Sequence, residues 1–495
     1  MSQVTAVGSA GEQRLGDELY NEDLAPTGAG QRTWKWQHFA ALWVGMVMNV
    51  ASYMLASGLT GQGMSPWQAV FTVLLGNMIV LLPMLLIGHA GAKYGIPFAV
   101  LVRSSFGTQG AKLPAVLRAV IACGWYGIHT WLGGSAMYSL ANILTGNALT
   151  GAVLPLLGIS AGQLGCFLAF WSLQLYFILH GTESIRRLES LSAPVKIAMC
   201  VALVWWATSK AGGVGAMLSA PSAFVKGGAK EGLFWVTFWP NLTAMVGFWA
   251  TLALNIPDFT RFAKSQRDQV LGQTVGLPIP MALLSLMSVV VTSATVVIYG
   301  KAVWDPIDLT GRMTGVGVGI ALVILTLDTM CCNLAANLVG PAYDFASLSP
   351  SRISYRMGGM ITATIAIAMM PWKILSSTQG YIFTWLVGYS ALLGPVAGVM
   401  IVDYFLVRRT KLDSAQLFEP DGIYAYKNGW NPIAVVAFAC GAIPNLPGFL
   451  KTAFPSAFPS VPDVFMQIYT YAWFVGLIIA SVVYSVGMGV GRQRA

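Results

Sequence analysis

Residues 247–261 read Gly247-Phe248-Trp249-Ala250-Thr251-Leu252-Ala253-Leu254-Asn255-Ile256-Pro257-Asp258-Phe259-Thr260-Arg261. The run lies in a hydrophobic segment, yet it opens on a glycine and a large aromatic and closes on a proline, an acid and a base. A helix surrounded by lipid needs no such mixture. Backbone freed near a glycine is tolerated at membrane depth only where protein or a water-filled cavity satisfies it. The stretch therefore predicts a broken membrane helix facing a substrate pocket.

The composition around it fits. Of 495 residues, 56% are hydrophobic and only 9% charged, with a mean hydropathy of +0.66. Soluble domains carry about 25% charged residues, so the chain reads as an all-α polytopic membrane protein with the lipid bilayer as its main solvent. The net charge of +9 does not indicate a nucleic-acid partner, because the basic residues are spread among the connections between apolar spans, where topology explains them. Residues 1–35 lack the apolar core and cleavage site of a signal peptide and are expected to form a cytoplasmic tail. Cys123, Cys166, Cys200, Cys331, Cys332 and Cys440 all fall in apolar spans without metal-type spacing, and are expected to be reduced and buried.

A spanning helix needs roughly 20 mostly apolar residues. Candidates run over 39–59, 69–89, 114–140, 162–180, 193–208, 235–256, 277–298, 315–339, 358–372, 381–407, 432–449 and 464–488, about twelve transmembrane helices. With the N-terminus inside, the inner segments hold 20 of the 28 Lys and Arg residues and the outer segments seven; Lys196, inside span 5, is the last. Both termini are expected to be cytoplasmic, in a plasma or inner membrane. The connection at 91–107 is too apolar for a free loop and should lie against the cytoplasmic mouth. Val44-Gly45-Met46-Val47-Met48-Asn49 in span 1 and Val246-Gly247-Phe248-Trp249 in span 6 fit the pattern of two corresponding spans interrupted near mid-membrane, a pointer to inverted repeats with the site between them.

Three further spans carry chemistry. In span 3, Trp125 and His129 are four residues apart on one helix face: an aromatic wall beside a hydrogen-bonding group, or a packed indole and a histidine bonded to a neighbouring carbonyl. In span 8, Asn333 and Asn337 share the same spacing, and a side-chain amide offers both donors and an acceptor, suited to a planar ligand; the alternative is glue between helices. Asp328 is read as the one carboxylate deep in a span, and needs a partner. Lys196 is the candidate, unless it snorkels to the nearby interface. Asp258 and Arg261 are assigned to a cytoplasmic gate, and Asp403 with Arg408 and Arg409 to a solvated helix end. With no phosphate loop, paired catalytic carboxylates or metal cluster, an enzyme is not expected.

The chain resembles the nucleobase–cation symporter-1 family, permeases for uracil, cytosine, allantoin and hydantoins. The resemblance runs from Asn21-Glu22-Asp23-Leu24-Ala25-Pro26-Thr27 to Asp403-Tyr404-Phe405-Leu406-Val407-Arg408-Arg409, through Gly-Trp-Tyr-Gly at 124–127, Asn-Ile-Pro-Asp-Phe-Thr-Arg at 255–261 and Asn-Leu-Ala-Ala-Asn at 333–337. It implies the leucine-transporter-like fold. A tail over 1–35 would lead into two inverted five-helix repeats at 36–210 and 211–410. A loop, helices 11 and 12 and a short tail would follow at 411–495. In the family, tryptophans matching Trp125 and Trp249 stack on the two faces of the substrate, and an asparagine matching Asn337 bonds its edge. His129 stands where a span-3 amide is usual, and Phe248 where glycine is often found beside Gly247. Asn49 matches a polar span-1 residue near the site.

The resemblance also implies a coupling cation and no other cofactor. Sodium-coupled members hold the ion on carbonyls matching Gly45 and Met48 and on two span-8 hydroxyls. Those hydroxyl positions are Cys331 and Cys332 here, and sulfur is a poor ligand for a hard cation. Asp328 occupies the span-8 carbonyl position. Proton coupling through Lys196 and Asp328 is therefore expected in place of Na+. The alternatives are an amino-acid or amine permease on the same scaffold and, more remotely, a multispan membrane enzyme.

Overall fold

In a computed structural model, residues 18–180, 182–313, 316–377 and 379–490 are described; the rest of the expected tails lies outside them. The described residues are helical, with isolated bridges and no β-strand.

The first expected span is two helices, α1 (Trp36–Val47) and α2 (Val50–Gly61), bent by 60° at Met48 and Asn49. Asn49 leaves helical geometry (φ −147°, ψ 164°) and caps α2, its Oδ1 accepting from Ser52 N. The chain continues through α3 (Pro66–Tyr94), the short α4 (Phe98–Leu101) and α5 (Arg103–Phe106), α6 (Lys112–Thr145), α7 (Ala161–His180), α8 (Thr182–Ala211) and α9 (Val214–Leu218). The opening stretch of the sequence spans α10 (Phe234–Phe248), α11 (Ala250–Asn255) and α12 (Pro257–Thr260), with the break at Trp249 (φ −99°, ψ 4°). Gly247 lets the break pack tightly, since a Cβ there would stand 2.8 Å from the Leu386 carbonyl.

Next come α13 (Gln266–Gly276), α14 (Pro278–Tyr299), α15 (Pro306–Arg312) and α16 (Val316–Asn333), which passes through a π turn at Leu334–Leu338 into α17 (Val339–Leu348). The remainder is α18 (Tyr355–Ala368), α19 (Pro371–Ile374), a π segment (Gln379–Leu386) leading into α20 (Val387–Val402), α21 (Pro432–Ala442), α22 (Leu446–Ala453), α23 (Asp463–Thr470) and α24 (Ala472–Gly487). Six described helices are long and apolar enough to cross a membrane unaided, and two bent pairs raise that to eight.

Several expectations need correction. Span 12 is not straight: α23 and α24 meet at 87°. The inner connection before span 7 is the helix α13, with Gln269 and Gln273 buried. Span 8 runs on past 339 through α17, so Asp344 is a second buried acid, 2.9 Å from Arg118 with both side chains 1% exposed. Asp328 is therefore not the sole deep carboxylate. Asp403 is not solvated but buried, accepting from Ser104 Oγ, Tyr484 OH and Arg408 Nε. A chain as apolar as this leaves little water near a helix end, so charges there seek protein partners. Cys440 is exposed rather than buried, and none of the six cysteines is in a disulfide.

The described part of the expected N-terminal tail is a strap laid over one face. Leu19 O accepts from Arg103, and Asn21 Nδ2 donates to Pro350 O. Asp23 Oδ2 accepts from Tyr355 N, and Lys264 N donates to Trp34 O. The 91–107 connection lies on the same face; α4 and α5 are wholly buried, as its apolar sequence required.

Candidate functional site

The two breaks meet. Met46 and Asn49 from the α1–α2 bend and Phe248, Trp249, Thr251 and Leu252 from the α10–α11 break line one pocket. Trp125 and His129 of α6 and Cys332, Ala336 and Asn337 complete it. Six of the eight expected substrate residues are thus brought together. Gly247 and Asn333 stand behind them.

Each aromatic is held by its neighbours. Trp125 Nε1 donates to Tyr389 OH at 3.2 Å, and Tyr389 donates to the Gly247 carbonyl at 2.8 Å. Trp249 packs edge-on against Trp43, centroids 5.2 Å apart. Phe248 lies nearly perpendicular to both indoles, 5.0 Å from Trp125 and 4.8 Å from Trp249. Its ring fills the gap, leaving about 20 Å³ of free space, room for a single water. No ring-sized molecule fits beside Phe248 in this arrangement. Trp249 Nε1 is buried without a partner among the described residues, a donor left over where a ligand would bind.

The π turn decides which asparagine faces the pocket. It widens the helix by one residue and is frequent at functional sites. Asn337 reaches the pocket and donates to Asn333 Oδ1 at 3.0 Å. Asn333 turns away from the pocket to Tyr126 O, Thr130 Oγ1 and Gln174 Oε1. The four-residue spacing suggested both on one wall; the wider turn puts them in two layers. Tyr389, Thr251 and Gln174 were not singled out in the sequence. Thr251 lay in the opening stretch, two residues past Trp249; Tyr389 and Gln174 carried no signal of their own.

The expected cation-coupling residues cluster nearby. Lys196 Nζ of α8 is 2.7 Å from Asp328 Oδ1 of α16 and 3.5 Å from the Gly45 carbonyl of α1. Both charged side chains are about 95% buried. Met48 lines a second, apolar cavity beside this pair, with Tyr53 and Pro306. Cys332 Sγ lies 3.5 Å from Met46 O, between the ion pair and the substrate pocket; Cys331 is buried beside it.

Asp258 and Arg261 sit where the strap and α4 converge. Asp258 accepts from Phe98 N at 2.8 Å and from Asn255 Nδ2 at 3.2 Å. Arg261 reaches Asp23 O and Tyr343 OH, each at 3.4 Å, and stacks on the Tyr343 and Phe262 rings.

A family profile for permeases of cytosine/purines, uracil, thiamine and allantoin matches residues 26–476. The chain belongs to this permease family. As a family permease it is an integral membrane transporter and not an enzyme. It is 43% identical to the purine-uracil permease NCS1 of Arabidopsis thaliana, over 98% of this chain and 80% of the relative. It is 40% identical to the allantoin permease of Bacillus subtilis (strain 168), over 97% and 95% respectively. Among solved structures it is similar to Mhp1, a nucleobase-cation-symport-1 family transporter, at 25% identity. The inward-facing form matches with a TM-score of 0.77 over 97% of this chain and 95% of that one. The closed form with bromovinylhydantoin bound gives 0.75 over 96% of each. The leucine-transporter-like architecture expected from the sequence is the fold of this permease.

Proposed function

We propose that this permease imports a planar heterocycle of the nucleobase, allantoin or hydantoin type by alternating access, coupled to protons. The observation that carries the reading is the pocket at the paired helix breaks. Two indoles stand on either side of Phe248, and His129 and Asn337 supply polar groups at one edge. Stacking favours flat rings, and a few fixed polar groups set their orientation. The names of the relatives, with uracil, purine, allantoin and a bound hydantoin among them, support the substrate class. An amino-acid permease would leave the N-terminus of α2 open to a carboxylate; here the Asn49 side chain already caps it.

The coupling reading rests on Lys196. Its ammonium lies against the Gly45 carbonyl and Asp328, tying α8, α1 and α16 together as a bound cation would. Release of the proton would undo that tie and free the 36–210 and 211–410 repeats to rock about the pocket. The distribution of basic residues supports a strap face in the cytoplasm of a plasma-membrane protein, with Asp258 and Arg261 read as its gate.

Uptake of labelled uracil or allantoin into proteoliposomes tests both halves. Transport driven by an inward proton gradient is expected to persist when sodium is replaced by choline at fixed pH. Uptake that vanishes without sodium and ignores the pH gradient overturns proton coupling. Competition by amino acids but by no heterocycle overturns the substrate class.

A further inference from the structure

The helix α13 runs beside α1 and packs on it through two glycines. A Cβ on Gly272 would collide with Phe39 and stand 2.6 Å from the Trp36 carbonyl; one on Gly276 would stand 2.8 Å from Ala40 Cα. The strap end of this junction is pinned by hydrogen bonds. Lys264 N donates to Trp34 O at 2.8 Å, and Trp36 N donates to Asp268 Oδ1 at 3.0 Å. Lys35 lies between those two tryptophans, so the start of α1 and the start of α13 meet at one level.

Gln269, Gly272, Gln273 and Gly276 are buried, which turns the other side of α13 outward. That side carries Arg267, Val270, Leu271 and Thr274, spaced i, i+3, i+4 and i+7 along one stripe, and all four are exposed. Past the arginine the stripe is mainly apolar: Val270 and Leu271 are 41% and 37% exposed, and Ile279 and Leu283 extend it at 52% and 58%. Residues 266–299 form one span of 34 residues, so this strip faces acyl chains. Two more exposed cations, Lys35 and Lys264, stand at its head with the exposed Trp36, a residue type favoured at the membrane–water boundary. Among the described residues Lys35, Lys264 and Arg267 form no ion pair. Asp268 is the one acid in 262–276, and its carboxylate already accepts from Trp36 N and Ser265 Oγ.

We propose that the α1–α13 junction binds an anionic phospholipid from the leaflet on the strap side. Lys35, Lys264 and Arg267 hold the headgroup phosphate, and an acyl chain lies along Val270, Leu271 and Leu283. Topology accounts for scattered single cations on this side. It does not account for three, drawn from segments more than 200 residues apart in the chain, gathered around a tryptophan at the head of an apolar strip. A soluble anion would use the cations and leave that strip bare, so the strip commits the site to a lipid. The helix it braces reaches the functional centre, since α1 brings the Gly45 carbonyl to Lys196 and Met46 to the pocket.

Native mass spectrometry of the full-length protein, titrated in detergent with dioleoyl phosphatidylglycerol or dioleoyl phosphatidylcholine, reads the site. A cation near an anionic lipid is worth roughly fivefold in affinity. Phosphatidylglycerol is therefore expected to bind about tenfold or more tightly than phosphatidylcholine, and Arg267→Gln to lose about fivefold of that preference. Lys35→Gln combined with Lys264→Gln and Arg267→Gln is expected to abolish it. Arg352→Gln with Lys411→Gln, which also removes exposed inner charges, is expected to leave it intact. Phosphatidylglycerol should raise the melting temperature, whereas sn-glycerol 3-phosphate, a phosphate without acyl chains, should not. Equal retention of the two lipids, a preference that survives the triple variant, or one lost equally in the Arg352 and Lys411 variant overturns the site. A thermal shift from glycerol phosphate as large as the lipid's overturns the lipid assignment and leaves a soluble-anion site. If the triple variant fails to fold, Arg267→Gln alone, on an exposed face, decides the comparison.

Discussion

Trp125 and Trp249 have unequal surroundings although their chemistry is the same. Trp125 has its indole N–H on Tyr389 and is braced from behind, whereas the Trp249 N–H has no partner among the described residues. Base–aromatic stacking is worth about 1–3 kcal/mol per base, so Trp125→Ala and Trp249→Ala are each expected to weaken substrate binding roughly tenfold or more. Trp249→Ala should lose more, because its unpaired N–H is also available to the ligand. Titration of each purified variant checks the order. These two indoles were paired by the family resemblance; the residues alone left Trp125 open between a substrate wall and a packed indole. His129 and Asn337 were legible because a polar group at that depth is costly and marks function. Helical spacing alone could not separate Asn333 from Asn337, since an ideal helix puts residues four apart on one face; the family resemblance pointed to Asn337, and the π turn is what sets the two apart.

At the scale of elements, the broken helices were foreseeable and the caps that hold them less so. Glycine and asparagine flag an interruption, and Asn49 both breaks its span and caps the next helix. The 87° turn between α23 and α24 had no comparable flag, because its sequence carries no glycine or proline at the bend and reads as one span. The short helix α15, far from the strap, carries a pH-sensitive cap. Asp305 accepts from Ile307 N at 2.8 Å, and burial, with Asp308 nearby adding repulsion, pushes its carboxyl up to about 6 from 3.8. A carboxyl raised on folding binds its proton more tightly in the native state. Its contribution to stability is therefore greatest at low pH and falls as pH rises through about 4 to 6. Protection of the α15 amides, with the intrinsic pH dependence of exchange divided out, is expected to be higher at pH 4.5 than at pH 7, and Asp305→Asn, which keeps an acceptor without the charge, should flatten the difference.

Across the whole molecule, buried ion pairs join segments far apart in the chain: Lys196 with Asp328, and Arg118 with Asp344. Removing one partner of such a pair strands the other charge and costs about 3–5 kcal/mol. Lys196→Met is therefore expected to lower the melting temperature markedly, and Lys196→Met with Asp328→Leu to restore most of it. Thermal unfolding in detergent measures both, and the restored double variant should still lack proton-driven uptake. The first pair was suggested by the sequence, where two lone charges in apolar spans invite pairing. The second was hidden, because Asp344 lies past the expected end of its span and Arg118 is one of the 20 basic residues counted to the inner segments. The strap was hidden for a related reason: polar residues near a terminus look like a tail until their partners are known.

That strap also constrains the order of synthesis. Asn21 and Asp23 leave the ribosome early, but their partners at Pro350 and Tyr355 follow 329 and 332 residues later. At 5–20 residues per second the delay is about 16 to 66 s. Until then the strap holds only its nearer partners, such as Arg103 for Leu19, while the eight expected spans before residue 340 enter the membrane. The strap therefore completes its contacts only after Tyr355 has emerged, so loss of the Asn21 and Asp23 contacts would burden that docking step and leave insertion of the preceding spans untouched.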